Sequence, residues 1–400
     1  MRQRFIYSVF IWIIALTIVQ ASPAGKVPAK YSALISKAFK NAGPNKVQLQ
    51  KALRLAPSSQ TEGVAFLIAY MPVRDLRSLK ADFILENTAL AYKARETFPW
   101  AKAIPDSVFL NDVLPYVSLN ETRENWRKDF FERFSSRVKG CTTLAQAIDS
   151  VNKNINKVVQ VEYNTKRKKP DQSPFESMQQ HMATCSGLSI ILADAFRAVG
   201  IPARVAGTAM WTNMRGNHNW VEVWLDGQWY FTEFYPDKLN HSWFLADAGK
   251  ADPSKRLHWI FASSFKPAGT YFTLVWDEKI RYVHAFNVTD RYIKEYQEQL
   301  SGEKLKDDET LVSVVLQKDD SCSPDGNNRI AARIGVLSEG KEIDFGYSSS
   351  STDDLNKFLK FKLKKNTEYL FVFTDTKGVK HQKVVKTADA AEDMIILSLK

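Results

Sequence analysis

The stretch 181-HMATCSGLSIILADAFRAVGIPARVAGTAMW-211, continued by 217-NHNWVEVWLDGQWYFTEFYPD-237, decides how this chain is read. It sets Cys185 at the mouth of a helix over 186–199, with Leu188, Ile191, Leu192, Ala195 and Phe196 as its apolar stripe. Gly200 is placed as a left-handed C-cap, and Pro202 starts the exit. Extended segments follow over 204–211, 219–225 and 228–235. The Asp226-Gly227 pair between the last two is a two-residue hairpin turn. One helix followed by an antiparallel meander indicates an α+β fold.

The order of residue types carries the chemistry. A thiol at a helix start faces unpaired backbone N–H groups and the positive end of the macrodipole, which favour the reactive thiolate. The same N–H groups suit a developing oxyanion, and that of Cys185 is one candidate donor. His218, opening the next strand but one, is a candidate base and later proton donor. Across the two-residue turn His218 falls opposite Tyr235 and Glu233 opposite Trp220. Glu233 is then diagonal to His218 on one face, about 7–8 Å away between backbones, a span a glutamate side chain covers. The candidate catalytic residues are therefore Cys185, His218 and Glu233, with Asp237 as a substitute acid. His181 reads as a surface residue. Trp220, Trp224 and Trp229 read as core, and Trp211 or Trp243 as a wall of the cleft.

Outward from this stretch, the 400 residues divide into several parts. Arg2 and Arg4 precede an apolar run from Phe5 to Val19 and small residues at Ala21-Ser22, the pattern of a secretory signal over 1–21. Export to a secreted or periplasmic location is expected, with no integral span after cleavage, because the run is short for a membrane helix. Residues 22–135 read as a helical N-terminal region. Thr142 or Thr143 opens a further helix, and Asn164–Pro174 is a polar, basic loop. Beyond a charged linker at 301–309, short strands separated by turns over 308–400 suggest a β-sandwich, which resembles transthyretin-like accessory domains and shows no catalytic constellation.

Composition narrows the classes. Net charge is +11 with 44% apolar residues, a basic globular chain, and no zinc-finger spacing, RNP motif or P-loop points to nucleic acid. No two histidines have metal-ligand spacing and no acidic run makes a calcium loop, so neither metal nor cofactor is expected. Three cysteines, Cys141, Cys185 and Cys322, cannot all pair within one chain, which leaves at least one thiol over.

Taken together, Cys185 opening a helix, Ala198-Val199-Gly200-Ile201-Pro202-Ala203-Arg204, His218-Asn219-Trp220-Val221-Glu222-Val223 and Trp229 four residues before an acid resemble the transglutaminase-like superfamily of papain-type thiol enzymes. The resemblance covers roughly 142–235 and implies a catalytic helix packed on an antiparallel sheet, a core over 136–300, with Cys185 as nucleophile, His218 as base and Glu233 as third member. It implies a thiol enzyme acting on amide bonds of a protein, peptide or glycopeptide through a thioester, most simply a peptidase or amidase. A cross-linking transferase and an inactive binding module are the alternatives. Two positions depart from the family pattern: Glu233 stands where Asp is usual, and Ala183 where Gly is usual two residues before the cysteine. Alanine there would be costly if the backbone needed positive φ.

Overall fold

A computed structural model describes residues 27–236, 238–302, 305–319, 326–375 and 378–399. The signal expected over 1–21, Asp237 and Cys322 lie outside the described residues. The N-terminal part is helical, with helices at Ser32–Asn41, Lys46–Leu55, Thr61–Tyr70 and Ala81–Thr97. These close around Leu49, Val64, Leu67, Ile84 and Leu114, all at most 1% exposed. A separate turn at Val73–Leu76 precedes the helix Ala81–Thr97.

The helix Leu144–Val159 starts at a capping box, in which the Thr143 hydroxyl accepts from the Gln146 backbone and the Gln146 side chain returns to the Thr143 N–H. It ends at Gln160 in the left-handed region. Val158 and Val159 form its last turn. The helix Cys185–Ala198 lies in the middle of the molecule, and every residue after Cys185 is buried. A helix that is apolar on most sides can be placed only inside, with neighbours all round. Helices Trp126–Val138 and Leu144–Val159 pack on it from one side and strands of the main sheet from the other. Gly200 has φ +75°, as a left-handed C-cap requires, and a Cβ there would sit 2.6 Å from that of Ala101.

The main sheet is six-stranded and antiparallel, in the spatial order Gln228–Thr232, His218–Leu225, Ala203–Thr208, Ile260–Ser264, His284–Asn287, Thr270–Tyr271. One face carries Val205, Val221 and Val223 against the central helix. The other carries Trp220, Phe231 and Ile260 against Phe244 and against Tyr292 of the helix Thr289–Gly302. Two residues of the sequence motifs hold this second face together. Arg204 and Glu222 are cross-strand partners, and the guanidinium donates to Glu222 Oε2 at 2.7 Å in a fully buried pair. Tyr292 Oη donates to Glu222 Oε1 at 2.8 Å, and Trp220 Nε1 donates to Tyr292 Oη at 2.6 Å. A charge this deep persists only with its oxygens satisfied, as they are here.

The C-terminal part is a sandwich of two sheets. One has the order Lys341–Tyr347, Arg333–Ser338, Glu368–Thr374, Lys380–Lys386; the other has Leu359–Lys364, Glu309–Gln317, Glu392–Ser398. Alternating Val312, Val314 and Leu316, with Phe361 on the adjacent strand of the same sheet, face Phe371 and Phe373 of the other. The fold is thus α+β, with the helical N-terminal region, the helix-on-sheet core and the C-terminal sandwich that the sequence indicates. The strand Lys341–Tyr347 is exposed along most of its length and so lacks the apolar alternation that marks Glu309–Gln317.

Candidate active site

Cys185 is the first residue of its helix. Thr184 before it is extended, at φ −96° and ψ −178°, and makes no side-chain bond to the first turn; its hydroxyl instead accepts from Arg167 Nε at 3.2 Å. The first-turn N–H groups around Cys185 therefore have no side-chain cap, the condition for an anion site at a helix start. The approach is fixed by a short parallel pairing of Glu162–Tyr163 with Met182–Ala183. Ala183 does not have positive φ, so alanine carries no backbone penalty there. Its methyl lies where a Cβ on Gly187 would be only 2.9 Å away, and it is Gly187 that makes room for it.

His218 opens the strand next to Ala203–Thr208. Its ring is stacked on Trp220 and flanked by Trp243 and Phe244, with centroids 5.7, 4.9 and 5.3 Å away. Its backbone is held because Gly207 has no side chain: a Cβ there would lie 1.9 Å from Asn219 Oδ1 and 2.6 Å from the His218 carbonyl. Asn219 in turn donates to Ser186 Oγ at 2.7 Å, tying the His218 strand to the first turn of the Cys185 helix.

Glu233 reaches His218 Nε2 with Oε1 at 2.7 Å. The hairpin register runs as the two-residue turn requires, with Leu225 on Gln228 and Val221 on Thr232. Regular pairing stops at Thr232, so Glu233 is the first residue beyond the strand rather than a member of it. The second Glu233 oxygen accepts from Ser242 Oγ, which fixes the carboxylate from behind. Sequence reasoning offers no signal for Ser242, because it comes from an irregular segment.

With Nε2 occupied by Glu233, Nδ1 is the ring nitrogen left for the thiol. Nδ1 has no fully formed hydrogen bond in the resting geometry. Cys185 lines the same cleft as the ring. Burial by itself would lower the proton affinity of the imidazole, but the neighbouring Cys185 and the bonded, charged Glu233 overcome it and raise the pKa to about 10. Glu233 at 2.7 Å sets the direction of that shift even while Nδ1 stands open. Apo sites of this kind commonly hold such contacts long.

Cys185, His218 and Glu233 line one cleft. Trp243 is one of its walls, with Tyr163 and Tyr235, whose hydroxyl accepts from the Tyr163 N–H at 2.9 Å. Trp211 lies behind the ring of His218, stacked on Trp220 and 2% exposed, and is not a wall. His181 is exposed, with Nδ1 3.1 Å from the Gln160 carbonyl. The remaining wall has no counterpart in the sequence reading: Asp353, Asp354 and Lys357 reach the cleft from the C-terminal sandwich. Cys141, like Cys185, is a free thiol, and burial pushes its pKa up. Among the described residues no cluster of His, Cys, Asp and Glu is arranged to hold a metal ion, and no helix is long and apolar enough to cross a membrane.

A family model described as the transglutaminase-like superfamily matches residues 132–234, the segment that carries the helix, the His218 strand and Glu233 at its end. This segment is a transglutaminase-like core. Solved structures similar to the chain include a protein from Cytophaga hutchinsonii described as a cysteine protease (17% identity over 35% of this chain and 47% of that one, TM-score 0.27). A TGase aligns at 21% identity over 29% of this chain and 33% of the other, with TM-score 0.20. Red sea bream transglutaminase aligns at 10% identity over 66% of this chain and 58% of its own, with TM-score 0.27. In each case less than two thirds of the neighbour's length is covered. No curated protein matches the chain significantly.

Proposed function

We propose that the transglutaminase-like core is an exported thiol enzyme that cleaves amide bonds of a peptide or glycopeptide, with Cys185, His218 and Glu233 as its working groups. The observation that carries this reading is the pairing of Glu233 Oε1 with His218 Nε2 at 2.7 Å, which leaves Nδ1 for a thiol on the same cleft. Proximity of the imidazolium and the helix start favours the thiolate, the nucleophilic form.

The sulfur attacks the carbonyl carbon of the amide, and the carbonyl π pair moves to oxygen, where first-turn N–H groups of the Cys185 helix receive it. Collapse of the tetrahedral species breaks the C–N bond as the Nδ1 proton passes to nitrogen, releasing a free amine and leaving a Cys185 thioester. Water then attacks the thioester, giving its proton to Nδ1; the C–S bond breaks, the acid departs, and the thiolate–imidazolium pair is restored. Throughout, Glu233 keeps the ring oriented and offsets its positive charge. An amine in place of water would give transfer by the same steps.

Incubating the full chain with peptide and glycopeptide libraries, and reading products by mass spectrometry, tests this directly. Cleavage that is lost in Cys185→Ala and diverted to amide products only at high added amine supports a hydrolase. Equal cleavage by Cys185→Ala, or none by either protein, would sink the reading.

A further inference from the structure

The wall of the cleft that comes from the C-terminal sandwich has a chemistry of its own. It is the connection 348–358, which leaves the sheet strand Lys341–Tyr347 and enters the other sheet at Leu359–Lys364. This connection is built rather than loose. Arg329 donates to the carbonyls of Asp354 and Leu355 at 3.0 and 2.5 Å. Ser349 Oγ holds the Lys357 carbonyl at 2.5 Å. Asn356 spans to the core, donating to the Arg215 carbonyl at 3.3 Å and accepting from Asn213 at 3.2 Å.

The two acids at its tip differ in what they face. Asp353 is satisfied within the connection, by Lys357 Nζ at 2.9 Å and by Ser350. Asp354 places Oδ1 on the Asn356 N–H at 2.9 Å and turns Oδ2 into the cleft, 3.8 Å from His218 Nδ1. Its side chain is 13% exposed, and among the described residues no Lys or Arg forms an ion pair with it. The charged groups around it are the His218 ring, Glu233 beyond that ring, the Lys357–Asp353 pair and Arg329, whose guanidinium is engaged by backbone carbonyls.

Nδ1 is the atom that would hand its proton to the departing nitrogen. A carboxylate oxygen 3.8 Å from Nδ1 therefore borders the position of the leaving group and not only the imidazole. The aromatic walls Tyr163, Tyr235 and Trp243 stand in the same cleft, and rings beside a carboxylate suit an organic cation. We infer that Asp354, supplied by the C-terminal sandwich, is a specificity-determining residue that selects substrates with a positively charged group on the leaving side of the scissile amide. This rests on the reading of Cys185 and His218 given above. It also makes the cleft an inter-domain construction, in a chain whose overall charge is +11 and would by itself repel such a group.

The test needs no substrate. Cys185 in the full-length protein is alkylated at about pH 7.5 by three probes: neutral iodoacetamide, anionic iodoacetate and cationic 2-bromoethylammonium, with the last two rates each divided by the first. In wild type the cationic probe is favoured over the anionic one. Asp354→Asn keeps the shape of the side chain and removes its charge, and should lower that preference by at least about tenfold, as expected for a unit charge about 4 Å from each probe in a partly buried site. Asp389→Asn, an exposed acid elsewhere on the sandwich, should leave it at the wild-type value. An unchanged preference in Asp354→Asn, with circular dichroism and iodoacetamide labelling showing a folded site, overturns this inference alone. Iodoacetamide labelling of wild-type Cys185 that is indifferent to His218→Ala overturns the underlying reading instead.

Discussion

Replacing Glu233 by glutamine is the most informative single change in the cleft. The carboxamide oxygen of Glu233→Gln can still accept from Nε2, so the ring keeps its orientation while its counter-charge is lost. The two charge centres lie about 4 Å apart, and their attraction at an effective dielectric near 20 is about 4 kcal/mol. At about 1.36 kcal/mol per pKa unit the shift could not exceed about three units. The retained hydrogen bond and the Cys185 contact reduce it further, so the imidazole should fall from about 10 by about one to two units. Titrating the His218 ring signals by NMR in wild type and Glu233→Gln measures this directly, and the alkaline limb of turnover should move down with it. The linked stability effect has a fixed sign. The folded pKa lies above the ordinary value of 6.5, so this stabilisation is complete below about pH 6.5 and lost as pH rises through about 10. Wild type should exceed Glu233→Gln in stability most clearly near pH 6. A ring that deprotonates at the same pH in both proteins, or near 6.5 in wild type, would show that the Glu233 charge does not hold the proton on His218.

Other consequences follow from the same geometry. Iodoacetamide at pH 7 should modify Cys185 at least about a hundredfold faster than Cys141, whose thiol burial holds protonated, as peptide mapping would show. Gly207→Ala forces a methyl into Asn219 and the His218 carbonyl, and should cost about 1–3 kcal/mol in urea denaturation while slowing Cys185 labelling. Arg197→Met removes donors from the buried carbonyls of Val117 and Ala203, at 3.0 and 2.9 Å, and from Ser118 Oγ. A loss of about 3–5 kcal/mol is expected there, with unfolding midpoint as the readout.

The parts of the fold that are legible in sequence are those with a local cause. The central helix shows an apolar stripe and a glycine stop, and the hairpin register follows from the two residues Asp226-Gly227, so counting alone places Glu233 beside His218. The sandwich strands are visible through alternation, whereas the exposed strand Lys341–Tyr347 escapes notice because it buries almost nothing. Asp354 is not legible. It sits in a turn-rich connection more than a hundred residues from His218, and only the docking of one domain on another brings it to the ring. Ser242 is hidden for the same reason, since an irregular segment offers no period from which its direction can be read. Ala183 shows the converse: its departure from the family pattern suggests a cost, yet the backbone there needs no glycine.

In the proposed reaction His218 activates Cys185. Second-order rate constants for iodoacetamide at Cys185, measured at pH 6 in wild type and His218→Ala, test it most directly. With the imidazolium held charged by Glu233, wild type should react at least about a hundredfold faster, because His218→Ala removes both the base and the counter-charge beside the sulfur. Equal rates in the two proteins, with both folded, would contradict it.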